Sequence, residues 1–290
     1  MWISMAVLAA LLSGIAVVTS KLCTDDTDVY VVSALSNTVI MSVLILYCVF
    51  TRGILEISQI TIRSYFLILM SGIAIGISWI FYYMAIKEGS VNLNMALDKF
   101  SIICTMILAK VFLNDKITYI MIIATVILIL GTIFMIDLNN EKEYENKIFS
   151  KNNQWMIYAL LAAFFNSLST IFVKIDTTSV NSELTSALRY LVIAIMLWIT
   201  LFGVKRQKYL KKVKLNSIKY IFCTGILLAF SYLYYFKALH LGNISVVMVL
   251  FKMSILISTI ISYVFLKERL SIKGWIGFLM VVIGTIMFVV

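Results

Sequence analysis

Residues 81–101 read FYYMAIKEGSVNLNMALDKFS, and residues 234–254 read YYFKALHLGNISVVMVLFKMS. Laid over one another they share Tyr82/Tyr235, Gly89/Gly242, Lys99/Lys252 and Ser101/Ser254, always 153 positions apart. In both, a lysine follows a glycine by ten residues. Carried outward, the same offset aligns 1–137 with 154–290 without a gap, and 34 of the 137 positions are identical. Apolar composition yields chance matches, so the weight falls on residues that composition does not hand out freely: Trp2/Trp155, Lys21/Lys174, Gly72/Gly225 and Gly131/Gly284. The sequence therefore predicts two homologous halves, 1–137 and 154–290, joined by the polar, charge-mixed linker 138–153.

The composition says what solvent those halves meet. Of 290 residues, 62% are hydrophobic and 13% charged, the mean hydropathy is +1.02, and proline is absent. A soluble chain carries about a quarter charged residues, and no single water-facing core hides this much apolar surface. Ten apolar windows are legible, at 2–21, 29–50, 64–86, 91–113, 117–136, 154–173, 182–202, 217–239, 244–266 and 271–290. Each approaches the roughly 20 residues that cross a bilayer. The expected fold is all-α, with ten transmembrane helices as two five-helix repeats. An odd number of spans per half makes the second copy enter the membrane from the opposite side, so the repeats are expected to be inverted.

The net charge of +10 is carried largely between apolar runs, where bases act as topology signals, and nucleic acid is not expected as a partner. Four cysteines without C-x-x-C spacing and a lone His240 offer no metal set, and no GxxxxGK[ST] loop is present for ATP. No cofactor is expected. With no paired nucleophile and base, neither is an enzyme.

FYYMAIKEGS, ALDKFS and VFLNDKIT, with their partners YYFKALHLGN, LFKMS and VFLKERLS and with ALRYLVIAIML in the seventh span, resemble the EamA-type repeat of the drug/metabolite transporter superfamily. The resemblance runs the length of the chain. It implies a ten-helix bundle, a transport function and both termini in the cytoplasm of a cell-membrane protein. The sequence departs from the family in lacking proline. Gly72 and Gly76, matched by Gly225 and Ala229, supply small residues four apart that let helices approach closely.

Ionisable groups deep in a bilayer are costly unless they face a cavity or a partner, so they are the functional candidates. At 1.5 Å per residue, Lys99 and Lys252 lie roughly 15 Å beyond their glycines, near the midplane. Asp98 has Phe251 as its counterpart, which breaks the symmetry of charge, and Arg189 in the seventh span is a candidate partner for it. Aromatic pairs three apart, Trp79 with Tyr82 and Tyr232 with Tyr235, share helix faces at matched places. These eight residues form the candidate substrate site, on spans three, four, seven, eight and nine. Lys110, near a span end, reads as an interfacial anchor.

The expected function is secondary or facilitated transport of small metabolites (amino acids, organic anions or amphiphilic compounds) by alternating access, with proton or counter-solute coupling. The cations favour anionic or zwitterionic solutes. Two alternatives stand beside it: a flippase of lipids or lipid-linked headgroups on the same fold, and a photoreceptor-like or signalling membrane protein with a Schiff base on Lys99 or Lys252. Orientation is contested within the sequence. Family topology places the loop with Lys205, Arg206, Lys208, Lys211, Lys212 and Lys214 outside, whereas the base count alone puts it inside. Arg52 and Arg63, in a loop that family topology places inside, favour the family arrangement.

Overall fold

The computed structural model describes residues 1–24, 27–88, 100–135, 154–176, 182–265 and 271–289, and these are helical with short connections. Eleven α-helices occur among them: α1 (Trp2–Thr24), α2 (Val29–Phe50), α3 (Ile62–Glu88), α4 (Phe100–Leu113), α5 (Tyr119–Met135), α6 (Gln154–Asp176), α7 (Ser182–Gly203), α8 (Leu215–Leu241), α9 (Ile244–Lys252), α10 (Ser254–Phe265) and α11 (Ile272–Val289). Seven spans among the described residues are long and apolar enough to cross a membrane, with α9 and α10 counted together as Ile244–Phe265; α4, α5 and α11 are shorter apolar helices. Large side chains such as Ile195, Ile199 and Phe202 on α7 are exposed, as lipid-facing residues are.

The chain forms two compact units, each drawing on both halves of the sequence: 1–76 with 172–262, and 77–171 with 263–290. In the first, α1 runs antiparallel to α8. Trp2 lies where a Cβ on Gly242 would stand, Ser231 Oγ donates to the Ala9 carbonyl at 2.7 Å, and the Thr19 and Thr224 hydroxyls are 2.8 Å apart. α2 runs antiparallel to α7. Arg206 pairs with Asp28 at 2.8 Å at one end, Trp198 Nε1 donates to Thr38 Oγ1 at 2.9 Å in the middle, and Thr51 Oγ1 donates to Glu183 Oε2 at 2.6 Å at the other end.

Small residues bring these helices close. A Cβ on Gly72 would stand 2.7 Å from Val192 Cβ and 3.4 Å from the Arg189 carbonyl; one on Gly225 would stand 2.6 Å from Val39 Cβ and 3.2 Å from the Ser36 carbonyl. Val39 and Val192, like Ser36 and Arg189, are 153 positions apart, so one contact occurs twice with the halves exchanged. Gly76 rests on Met196 in the same way. These glycines are packing surfaces.

The second unit repeats the pattern. α5 and α11 are antiparallel: Gly131 faces the Gly277 carbonyl and Val281, while Gly284 faces the Ala124 carbonyl and Leu128. Ser78 Oγ donates to the Ala162 carbonyl at 2.7 Å, the counterpart of Ser231 on Ala9. Ser167 Oγ donates to the Ser101 carbonyl at 2.8 Å; in the first unit Gly14 lies against the Ser254 carbonyl. Each serine hydroxyl spends its donor on a neighbouring backbone, as polar groups in lipid must.

The same echo appears in the backbone. Arg52 and Lys205, 153 apart, both adopt a left-handed φ of 57° just beyond α2 and α7, and each leads into a 3₁₀ turn, Gly53–Gln59 and Gln207–Lys212. Helices often end this way, with glycine at that position as a rule.

Candidate functional site

Arg189 occupies the third turn of α7 and is 5% exposed in the first unit. The helix starts with Ser182 and with Glu183 in its first turn, where a carboxylate complements the helix dipole. The guanidinium carbon stands 4.9 Å over the ring of Phe236 on α8. Its neighbour Tyr190 meets Tyr232 at 5.0 Å between ring centroids. Tyr235 packs on Phe236 at 5.4 Å and on Phe251 at 4.4 Å, and Phe251 also meets Tyr232 at 6.1 Å. One buried cation thus rests on a ring of a connected cluster of five, drawn from α7, α8 and α9.

Lys252 immediately follows Phe251 and ends α9. The span Ile244–Phe265 is interrupted here. Met253 N–H bonds back three residues to Leu250 and Leu256 N–H to Met253, a tightened turn, before α10 resumes at Ser254. Asn243 starts α9, its side chain accepting from the Ser245 and Val246 amides. Such mid-helix breaks free backbone groups and occur at functional hinges.

The structure thus groups Arg189, Tyr232 and Tyr235, and sets Lys252 next to a ring of that group. Trp79 and Tyr82 belong to the second unit, where they meet edge-on at 5.6 Å, and the neighbouring Phe81 stacks on Tyr158 and Phe165. Asp98 and Lys99 lie outside the described residues. Lys110 is exposed in the last turn of α4.

Two ionic contacts escaped the sequence reading. Lys237 Nζ lies 2.7 Å from Glu183 Oε1 and 5.5 Å from the Tyr47 ring, so with Thr51 it ties α2, α7 and α8 at one end of the first unit. Asp28 with Arg206 ties α2 to the segment beyond α7 at the other end. The signal was present: Glu183 and Lys237 are opposite charges within apolar windows, and their counterparts, Tyr30 and Met84, are uncharged. Lys174 Nζ, on α6, donates to the carbonyls of Leu239 and Gly242, closing the C-terminus of α8 with a cation.

Similarity to known proteins accords with this architecture. A curated relative from Sinorhizobium sp., an uncharacterized transporter in the cobO 3' region, is 27% identical over 139 residues, which is 48% of this chain and 99% of the relative. A solved crystal structure 14% identical in sequence superposes with a TM-score of 0.77, covering 98% of this chain and 96% of that one, and shows the fold. The model of the EamA-like transporter family matches residues 1–137 and again 153–290. With nearly all of its sequence taken up by those two matches, this multi-pass membrane protein belongs to the EamA-like transporter family.

Proposed function

We propose that the protein carries small anionic or zwitterionic metabolites across the cell membrane by alternating access, without catalysis. The observation that carries this reading is Arg189: a buried arginine inside a membrane-spanning helix, resting on an aromatic cluster and adjoining a broken helix that ends in Lys252. A cation at that depth is expensive and marks substrate paths by default. Broken helices near the midplane coordinate solutes in transporters built from repeats. In this reading Arg189 and Lys252 attract the carboxylate or phosphate of the solute, and Tyr232 and Tyr235 contact its apolar part. Trp79, Tyr82, Asp98 and Lys99 are assigned to the solute path on the sequence argument alone.

The same reading takes the chain as ten spans in two inverted repeats, 1–137 and 154–290. Its support is that the homologous helices α2 and α7 lie antiparallel, as do α5 and α11, with contacts exchanged at an offset of 153. We place both termini in the cytoplasm. A cysteine introduced at Gln207 then reacts with a membrane-impermeant maleimide from outside; labelling only after permeabilisation reverses the topology.

The function is tested by a radiolabelled panel of amino acids, organic acids and phosphates in proteoliposomes, with proton and counter-solute gradients varied. Arg189→Gln and Lys252→Ala are expected to lower the preference for anionic solutes at least tenfold, while Arg189→Lys retains part of it. If both neutral variants elute as the wild type does and transport anions with unchanged selectivity, the site assignment fails. Headgroup translocation without solute flux indicates a flippase instead.

A further inference from the structure

A second feature of the first unit, outside the Arg189 cluster, has the chemistry of a binding surface. The segment between α7 and α8 carries Lys205, Arg206, Lys208, Lys211, Lys212 and Lys214. It is built as a platform. After the left-handed Lys205, residues Gln207–Lys212 form a 3₁₀ helix with three residues per turn, so side chains three apart share a row. Leu210 and Val213 form the inner row and, together with Tyr209, pack against Val31, Ala34 and Leu201 of α2 and α7. Lys208 and Lys211 form an exposed row, which Lys214 prolongs.

The cations are gathered closely. Arg206, Lys208 and Lys212 all lie about the Tyr209 ring, at 5.5, 5.4 and 5.5 Å. Arg206 is held by Asp28, while Lys205, Lys208, Lys211 and Lys212 have no carboxylate partner among the described residues. Even counting Asp25, Asp26 and Asp28, which precede α2 in the sequence, against the six bases leaves three positive charges in excess. The fold does not demand this charge. The related 3₁₀ turn, Gly53–Gln59, reads GILEISQ and bears an acid.

The platform joins two membrane-spanning helices whose adjoining turns expose Phe202, Val204, Leu215 and Ile218, so it lies where hydrocarbon gives way to headgroups. The phosphates of a bilayer occupy that level, and exposed lysines bordering a span are attracted to anionic lipid. We propose that Lys208, Lys211 and Lys212 bind the phosphodiester headgroups of anionic phospholipids in the adjoining leaflet and so anchor the α7–α8 connection. The proposal is independent of the transported solute and of which side the loop occupies.

The test uses the full-length protein in vesicles of phosphatidylcholine with and without phosphatidylglycerol, read by the thermal midpoint and by native mass spectrometry of retained lipid. Phosphatidylglycerol is expected to raise the wild-type midpoint and to remain bound. Each lysine contributes about fivefold to affinity, so Lys208→Gln/Lys211→Gln/Lys212→Gln is expected to bind about 100-fold more weakly. The corresponding triple arginine variant retains binding, as does Arg63→Gln/Lys116→Gln/Lys273→Gln, which removes equal charge elsewhere. Equal retention by the triple glutamine variant overturns the proposal. So does reproduction of the midpoint shift by inorganic phosphate in phosphatidylcholine vesicles, which would make the patch a site for the free ion. Should the triple glutamine variant fail to elute as a monodisperse species, Lys211→Gln alone decides, with about a fivefold loss expected.

Discussion

The close approach of α2 and α8 at Gly225 allows a quantitative test. A Cβ there would lie 2.6 Å from both Cβ and Cγ1 of Val39, about 1 Å inside the usual separation of carbon atoms. Neither atom is the far end of a flexible side chain, so relief requires the helices to part. Overpacking of this kind costs about 1–3 kcal/mol. Gly203→Ala serves as control, because nothing lies within 4 Å of that Cβ. Val39→Gly alone removes three carbons, at about 0.8 kcal/mol each if fully buried, and adds about 1 kcal/mol for a glycine inside a helix. Combined with Gly225→Ala, it opens the space that the new methyl fills, so the two changes should offset each other with a coupling of about 1–3 kcal/mol. Unfolding of the four proteins in mixed micelles, followed by tryptophan fluorescence, measures the cycle. The sister cycle, Gly72→Ala with Val192→Gly, should give a coupling of the same sign and similar size, since the would-be methyl lies 2.7 Å from Val192 Cβ. Additive effects to within about 0.5 kcal/mol, or a Gly225→Ala protein as stable as Gly203→Ala, would refute the exchanged-contact reasoning.

Glu183→Gln leaves Lys237 beside the Tyr47 ring without its carboxylate and is expected to cost about 1–3 kcal/mol, a magnitude kept modest because Lys237 is 28% exposed; Glu183→Gln/Lys237→Met should recover most of it in the same unfolding assay. A double variant as unstable as the single would show that the pair is not the source. Arg52→Gly relieves a left-handed backbone and should exceed Arg52→Ala in stability by about 1 kcal/mol, measured by thermal midpoint. Equal midpoints would remove the strain argument. Ser231→Ala and Ser78→Ala each remove an interhelical hydrogen bond and should cost about 0.6 kcal/mol apiece, with chemical denaturation showing similar losses for the two.

Much of the architecture was legible because apolar windows and the 153-residue offset report on lipid and on duplication directly. The windows at 182–202 and 217–239 lie within α7 and α8, and Arg189 stood out as a charge inside a span. The break at Met253 was not legible: LFKMSILI carries neither glycine nor proline, the residues that usually mark a kink in a helix. The 3₁₀ turns were missed because GILEISQ and QKYLKK lack a common pattern, though both follow the same left-handed bend. The Glu183–Lys237 pair joins residues on different helices, and a single sequence does not reveal which spans are neighbours. The grouping of Tyr190 and Phe251 with Arg189 depends on the same information. Window 91–113 is described only from Phe100 onward, so the lysine at 99 keeps its sequence argument alone.

The recurrence of the glycine contacts bears on why this chain is one polypeptide. Gly225 touches the backbone of Ser36, and Gly72 touches that of Arg189, at matching points of the duplicated pattern. A pair of identical subunits would be obliged to install the guanidinium at both points, doubling the dehydration penalty and setting two like charges in one membrane. A covalently joined copy escapes that constraint. It keeps a small hydroxyl at one position and an arginine at the other, so the two matching points carry unequal charge, which no symmetric pair of equal chains allows.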